Sequence, residues 1–203
     1  MTQDNPIVYV LDDDYRVRDA LTSLLLSVGL RVEVFASAAE YLKFQKPDCP
    51  ACLILDMELP GMSGLELQRE IAGGDAPSIV FVTGHGDVPS SVRAMKAGAI
   101  EFLLKPFDSQ ELLQAIDAAI VQDREARLKR VEIAELRRRY ALLTPREREV
   151  LPFVTAGLLN KQTAAELGTS EITIQVHRGQ IMRKMAASSL AELVKMAAKL
   201  GIA

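Results

Sequence analysis

Ile7-Val8-Tyr9-Val10-Leu11-Asp12-Asp13-Asp14 is the stretch on which the fold turns. Five apolar residues follow one another without a polar break, and then three carboxylates arrive together. A strand with one wet face alternates in polarity, whereas an unbroken apolar run suits a strand covered on both faces. Four further runs follow, at 31–35, 52–55, 79–83 and 101–104. Between them lie segments such as 17–28 and 88–97, in which apolar residues recur every three to four positions, the period of a helix. This alternation predicts an α/β doubly wound domain over residues 1–121, built on a five-stranded parallel sheet. In that architecture function gathers at the carboxyl ends of the strands.

Those ends carry the chemistry. Asp12-Asp13-Asp14 follows the first run, Asp56 the third, Thr83 closes the fourth, and Lys105 follows the fifth, just before Pro106. Carboxylates brought to one edge repel each other and favour a hard divalent cation. A hydroxyl and an ammonium beside them can hold the oxygens of a phosphoryl group, with Asp56 as a nucleophile that forms an acyl phosphate.

The rest of the composition bounds the function. Of 203 residues, 49% are hydrophobic and 25% charged, which is ordinary for a water-soluble protein. No apolar run approaches the roughly 18 residues a membrane span needs. The polar start, 1–6, does not resemble a signal peptide, so a cytoplasmic location without membrane attachment is expected. Cys49 and Cys52 form C-x-x-C, but the pair leads into a strand-like run rather than a helix and has no other cysteine nearby, so neither a redox nor a zinc site is expected. The net charge of -3 hides a division: residues 1–121 hold 18 Asp+Glu against 9 Lys+Arg, and residues 122–203 hold 9 against 15. An acidic half joined to a basic half suggests that the second meets a polyanion.

Residues 108–140 read as one long helix, or two nearly joined, opened by Asp108 and Glu111 as a capping pair. Its stretch 122–142 is a charged helical linker in which Leu128, Val131 and Leu136 leave a thin apolar seam. From 143 to 203 the pattern is short helices only, a small all-α domain. Thr144-Pro145-Arg146-Glu147 and Ser189-Leu190-Ala191-Glu192 are capping boxes. Two helices, 160–167 and 170–185, are joined through Gly168 in helix-turn-helix spacing, and the second is the candidate for the major groove.

At this point the chain resembles the receiver domains of two-component systems. The matching segments are Val10-Leu11-Asp12-Asp13-Asp14, Leu55-Asp56-Met57-Glu58-Leu59-Pro60-Gly61-Met62-Ser63-Gly64, Val82-Thr83-Gly84-His85-Gly86-Asp87 and Lys105-Pro106-Phe107. The resemblance implies that Asp56 accepts phosphate from a sensor histidine kinase. It implies Mg2+, or Mn2+ in its place, held by Asp12 through water, by Asp13, by Asp56 and by the Glu58 backbone carbonyl. Lys105 would pair with the phosphoryl group, Thr83 would hydrogen-bond it, Phe102 would be the switch aromatic, and Lys105–Pro106 would be cis. Glu58 and Phe102 depart from the commonest pattern: many such domains carry a neutral or basic residue at the first position, and a Tyr at the second could donate a hydroxyl hydrogen bond that Phe cannot. His85 reads as a loop residue beside the site rather than a catalytic base.

The C-terminal segments Leu143-Thr144-Pro145-Arg146-Glu147-Arg148-Glu149-Val150-Leu151, Gly157, Asn160-Lys161 and Ser170-Glu171-Ile172-Thr173-Ile174 resemble the LuxR-type DNA-binding domain, so the whole chain resembles a FixJ-type regulator. Helix period puts Ile174, Ile181 and Met185 in the core, His177 and Arg178 at its edges, and Gln175, Val176 and Gly179 on another side, where they match the family's base-facing positions. Gln suits adenine and Val a thymine methyl. Gly179 serves either close approach to DNA or helix packing. Lys161, Arg178, Arg183 and Lys184 are candidate phosphate contacts.

The expectation is therefore a two-component response regulator rather than an enzyme, apart from slow dephosphorylation of itself. Phosphorylation would promote dimerisation and binding to promoter DNA, with RNA polymerase as a further partner and activation as the outcome. An aspartate-nucleophile phosphatase would use similar groups, but such enzymes carry D-x-D-x-T where this chain has Asp12-Asp13-Asp14-Tyr15, and residues 143–203 would go unexplained. A ligand-sensing LuxR-type regulator is disfavoured, because the N-terminal half of this chain carries the phospho-site rather than a small-molecule pocket signature.

Overall fold

The computed structural model describes residues 5–73, 76–84 and 86–202. The chain divides into two compact units, Met1–Arg127 and Leu128–Ala203. Sequence reading separates the domains with a linker at 122–142; in the structure that stretch is shared, because helix α5 (Ser109–Ala141) is continuous and supplies residues to both units.

The first unit holds strands β1 (Ile7–Leu11), β2 (Arg31–Phe35), β3 (Ala51–Asp56), β4 (Ser78–Thr83) and β5 (Glu101–Leu104). They form one parallel sheet in the order β2-β1-β3-β4-β5, a doubly wound topology. Helices α1 (Tyr15–Ser27), α2 (Ala38–Lys43), α3 (Gly64–Ile71) and α4 (Val88–Lys96) connect them, and α5 begins after β5. Alternate residues of each central strand enter opposite cores. Tyr9, Leu11, Leu53, Leu55 and Phe81 pack on one face, and Val8, Val10, Ile54, Val80 and Val82 on the other, with Leu112 and Ile116 of α5. Burial on both faces explains why β1, β3 and β4 lack polar alternation. The edge strands are looser: Arg31, Glu33 and Val34 of β2 and Glu101 and Leu104 of β5 are exposed.

The same alternation disposes of the C-x-x-C. Cys49 lies in one core and Cys52 in the other, both buried and free. Burial, with the charge of Asp123 adding to it, pushes the Cys52 thiol up, away from thiolate reactivity.

In the second unit, α6 (Pro145–Thr155), α7 (Asn160–Glu166), α8 (Glu171–Met185) and α9 (Leu190–Lys199) surround Val150, Leu151, Val154, Ile174, Ile181, Met185 and Leu193. Thr144 caps α6 with the reciprocal Glu147 bond of a capping box, and Ser170 and Ser189 cap α8 and α9. Gly168 between α7 and α8 has φ +61°, a turn conformation that favours a residue without Cβ. None of the helices among the described residues is long and apolar enough to cross a membrane.

Candidate functional site

Parallel pairing of β1, β3, β4 and β5 brings Asp12, Asp56, Thr83 and Lys105 to one edge of the sheet, as the register Leu11↔Leu55, Asp56↔Val82 and Thr83↔Leu104 requires. Asp12, Asp56 and Lys105 border a cleft of about 580 Å³ that also takes in Asp13, Glu58 and Gly84, whereas buried Thr83 stands behind it and does not line it. The Lys105 ammonium donates to Asp12 Oδ2 and to Asp56 Oδ2, each at 2.6 Å. Its backbone N–H donates to the Thr83 carbonyl at 2.7 Å, which ties the lysine to the end of β4. Asp56 Oδ1 accepts from the Glu58 N–H at 3.1 Å, and Asp12 Oδ1 from the Asp14 N–H at 2.9 Å. Asp14 meanwhile caps α1. The Lys105–Pro106 bond is cis, as the resemblance implies.

The electrostatics are those of a crowded anionic site. Burial pushes the Asp12 carboxyl up; Lys105 and the Asp14 N–H pull it down, and the charge of Asp56 pushes it up again. Burial disfavours the Lys105 ammonium, but its bonds to Asp12 and Asp56 outweigh that and hold its pKa above the ordinary value. Ligand oxygens of Asp12, Asp13 and Asp56 lie within 4.8 Å of one another. Three hard oxygen donors at that spacing, with more negative charge than one lysine balances, fit a divalent cation of the Mg2+ type.

Thr83 is fully buried at the strand end. Phe102 is half-buried, its ring 6.3 Å from that of Phe81. A Cβ at Gly86 would stand 3.1 Å from the Phe102 ring, so Gly86 lies against that ring. His85 lies outside the described residues. Sequence reading overlooks Arg18, whose Nη1 donates to the carbonyls of Asp12 and Asp13 at 2.7 and 2.9 Å. The acidic loop is thus fixed from below by a guanidinium in the first turn of α1. Only its nearness to the acids in sequence hinted at this.

A second group of expected site residues belongs to the C-terminal unit. On α8, Ile174, Ile181 and Met185 are buried, while Gln175, Val176 and Gly179 are exposed, the faces that the helix period predicts. A Cβ at Gly179 would meet nothing within 4 Å among the described residues, so packing against them does not account for this glycine. Lys161 is exposed. The other three cations are engaged within the unit. Arg178 donates to the Leu158 carbonyl at 3.1 Å, Arg183 to Gln180 Oε1 at 2.6 Å, and Lys184 to both oxygens of buried Glu147 at 2.6 and 2.9 Å.

Comparison with known proteins agrees with both halves. Residues 8–117 match the family model of the response regulator receiver domain, and residues 141–197 that of the bacterial regulatory proteins of the luxR family. Nodulation protein W of Bradyrhizobium diazoefficiens is 50% identical over 197 residues, covering 97% of this chain and 87% of that protein. Transcriptional regulatory protein FixJ of Azorhizobium caulinodans is 44% identical over 197 residues, covering 97% and 93%. Among solved structures, response regulator StyR superposes with a TM-score of 0.78 at 47% identity, over 96% of this chain and 99% of that one.

Proposed function

Because the chain belongs to the response regulators, with a receiver joined to a LuxR-type DNA-binding domain, we propose that a phosphoryl group accepted by Asp56 switches DNA binding by residues 143–203. The observation that carries this is the arrangement at the sheet edge: a 6% exposed Asp56 with Lys105 at 2.6 Å and two further carboxylates beside it. A carboxylate oxygen of Asp56 attacks the phosphorus of the donor, and the bond to the donor nitrogen of a kinase histidine, or to the acetate of acetyl phosphate, breaks with its electron pair. Asp12, Asp13, Asp56 and the Glu58 carbonyl would hold Mg2+, which when bound would supply neutralisation of the phosphoryl charge. Lys105 pairs with a phosphoryl oxygen, and the Thr83 hydroxyl donates to another. Slow hydrolysis of the acyl phosphate returns the chain to its resting state, so the molecule acts as a regulator with only this residual catalysis.

Thr83, once drawn to the phosphoryl group, leaves room for Phe102 to turn inward. The adjoining face of α4 and β5, with Val92, Lys96 and Glu101, then forms a two-fold contact between copies. Exposed Val88, Val92, Met95 and Leu104 on these elements support that reading. In the dimer, Gln175, Val176 and Gly179 face bases, and Lys161 and Arg183 face phosphates. Arg178 and Lys184 add the N–H donors left over from Leu158 and Glu147. The partners are a sensor histidine kinase, promoter DNA and RNA polymerase, all in the cytoplasm.

Acetyl phosphate with Mg2+ should add one acid-labile phosphoryl group by intact mass, and Asp56→Asn should remove it. Selection from random DNA should give a site whose affinity rises on phosphorylation. Undiminished labelling of Asp56→Asn would place the acceptor elsewhere.

A further inference from the structure

The exposed side of α8 has a chemistry of its own. Successive helical residues turn by about 100°, so Ile172, Gln175, Val176 and Gly179 fall within about 100° of arc, opposite Ile174, Ile181 and Met185. Ile172 is 74% exposed and Val176 56% exposed. Isolated apolar side chains on a surface need no explanation. Here, however, two β-branched ones stand four residues apart on the side facing away from the core, and β-branched side chains have little rotamer freedom left to lose on contact. They lie toward the N-terminal end of the helix, the part that a helix-turn-helix presents to base edges.

Guanine is read by a bidentate Arg or Lys, and this arc offers neither at 172, 175, 176 or 179. Arg183 points the same way but lies eleven residues beyond Ile172, about 16 Å along the axis, and donates to Gln180. What remains is one amide, two branched aliphatic side chains and a glycine with open space above it. The amide suits adenine, and the aliphatic pair suits the thymine C5-methyl. Residues 122–203 carry 15 Lys+Arg against 9 Asp+Glu, which favours a polyanion over a second copy of the same surface.

We infer that Ile172 is a specificity-determining residue, and that with Val176 it reads thymine methyl groups, so that the contacted bases are A·T pairs rather than G·C. This rests on the DNA-binding reading above and specifies its target. The test uses the full-length protein with acetyl phosphate and Mg2+ on a site selected from random duplex DNA. Each thymine is then replaced singly by deoxyuridine, which keeps every hydrogen bond and removes only the methyl. At one or two positions affinity should fall about threefold to fivefold, the size of burying a single methyl group. Ile172→Ser should erase that loss at one position and Val176→Ser at another, with melting temperatures unchanged because both residues are exposed. Selective binding that is indifferent to every methyl, or a selected site led by guanines, overturns this inference and leaves DNA binding intact. Absence of any selective binding, with or without acetyl phosphate, overturns the DNA-binding reading along with it.

Discussion

A single nitrogen of Arg18 donates to the carbonyls of Asp12 and Asp13, and so holds the backbone that carries both carboxylates. Groups that orient ligands commonly govern affinity by 10- to 100-fold. Arg18→Ala is therefore expected to weaken Mg2+ binding about tenfold, measured by titration calorimetry, while the C-terminal unit melts unchanged. Glu147 shows a different use of charge. Burial alone would raise its carboxyl; Lys184 and the Thr144 backbone N–H outweigh this and hold it below the ordinary 4.5. Its contribution to stability is therefore complete above about pH 4.5 and is lost as pH falls through the folded value. The C-terminal unit should lose melting temperature on acidification below 4.5, and Lys184→Met should flatten that slope. Thr163 is fully buried, and its hydroxyl has no partner among the described residues. Thr163→Val removes an unsatisfied group at constant shape and should stabilise the unit by roughly 1 kcal/mol in denaturant titration. The acidic site was legible in the sequence because strand ends converge wherever the sheet is parallel. The engagements of Arg18 and Lys184 were not, since one acts through backbone oxygens and the other through a partner 37 residues away.

At the scale of elements, unbroken apolar runs reveal β1, β3 and β4, because two-sided burial leaves no polar alternation. The edge strands β2 and β5 form at the expected 31–35 and 101–104 as well, although residues on both are exposed. Helices α6, α8 and α9 are announced by their caps, Thr144, Ser170 and Ser189. Six-residue α2 has too few turns for a period to show. On α8, Gly179 weakens the helix, and a Cβ there would meet no contact among the described residues. Gly179→Ala should therefore stabilise the second unit by up to about 1 kcal/mol and bind the selected site less tightly, read from thermal melts beside binding titrations. A lower melting temperature would return the glycine to a packing role.

For the whole molecule, two units with separate cores predict two calorimetric transitions. Mg2+ should raise the one that belongs to the first unit, by about 2.7 kcal/mol at a hundred times its Kd, and a chelator should reverse the shift. Movement of both transitions would mean that the units unfold together. The boundary between them was the least legible part of the sequence, because α5 runs through it with no cap, glycine or proline to mark a change. One feature of that helix reaches back to the site. Buried Asp123 accepts the Ala51 N–H at 2.9 Å, and Arg127 bridges Asp123 and Asp48, so the first residue of β3 is tethered to α5. At the far end of the same strand Gly64 approaches the Asp56 carbonyl so closely that a Cβ would collide with it. With β1 and β4 bonded along both flanks, β3 is a fixed anvil. If Asp56 is the phosphoacceptor proposed above, strain arising there would not be absorbed by sliding of the strand and should pass sideways, to Thr83 and to Gly86 beside Phe102.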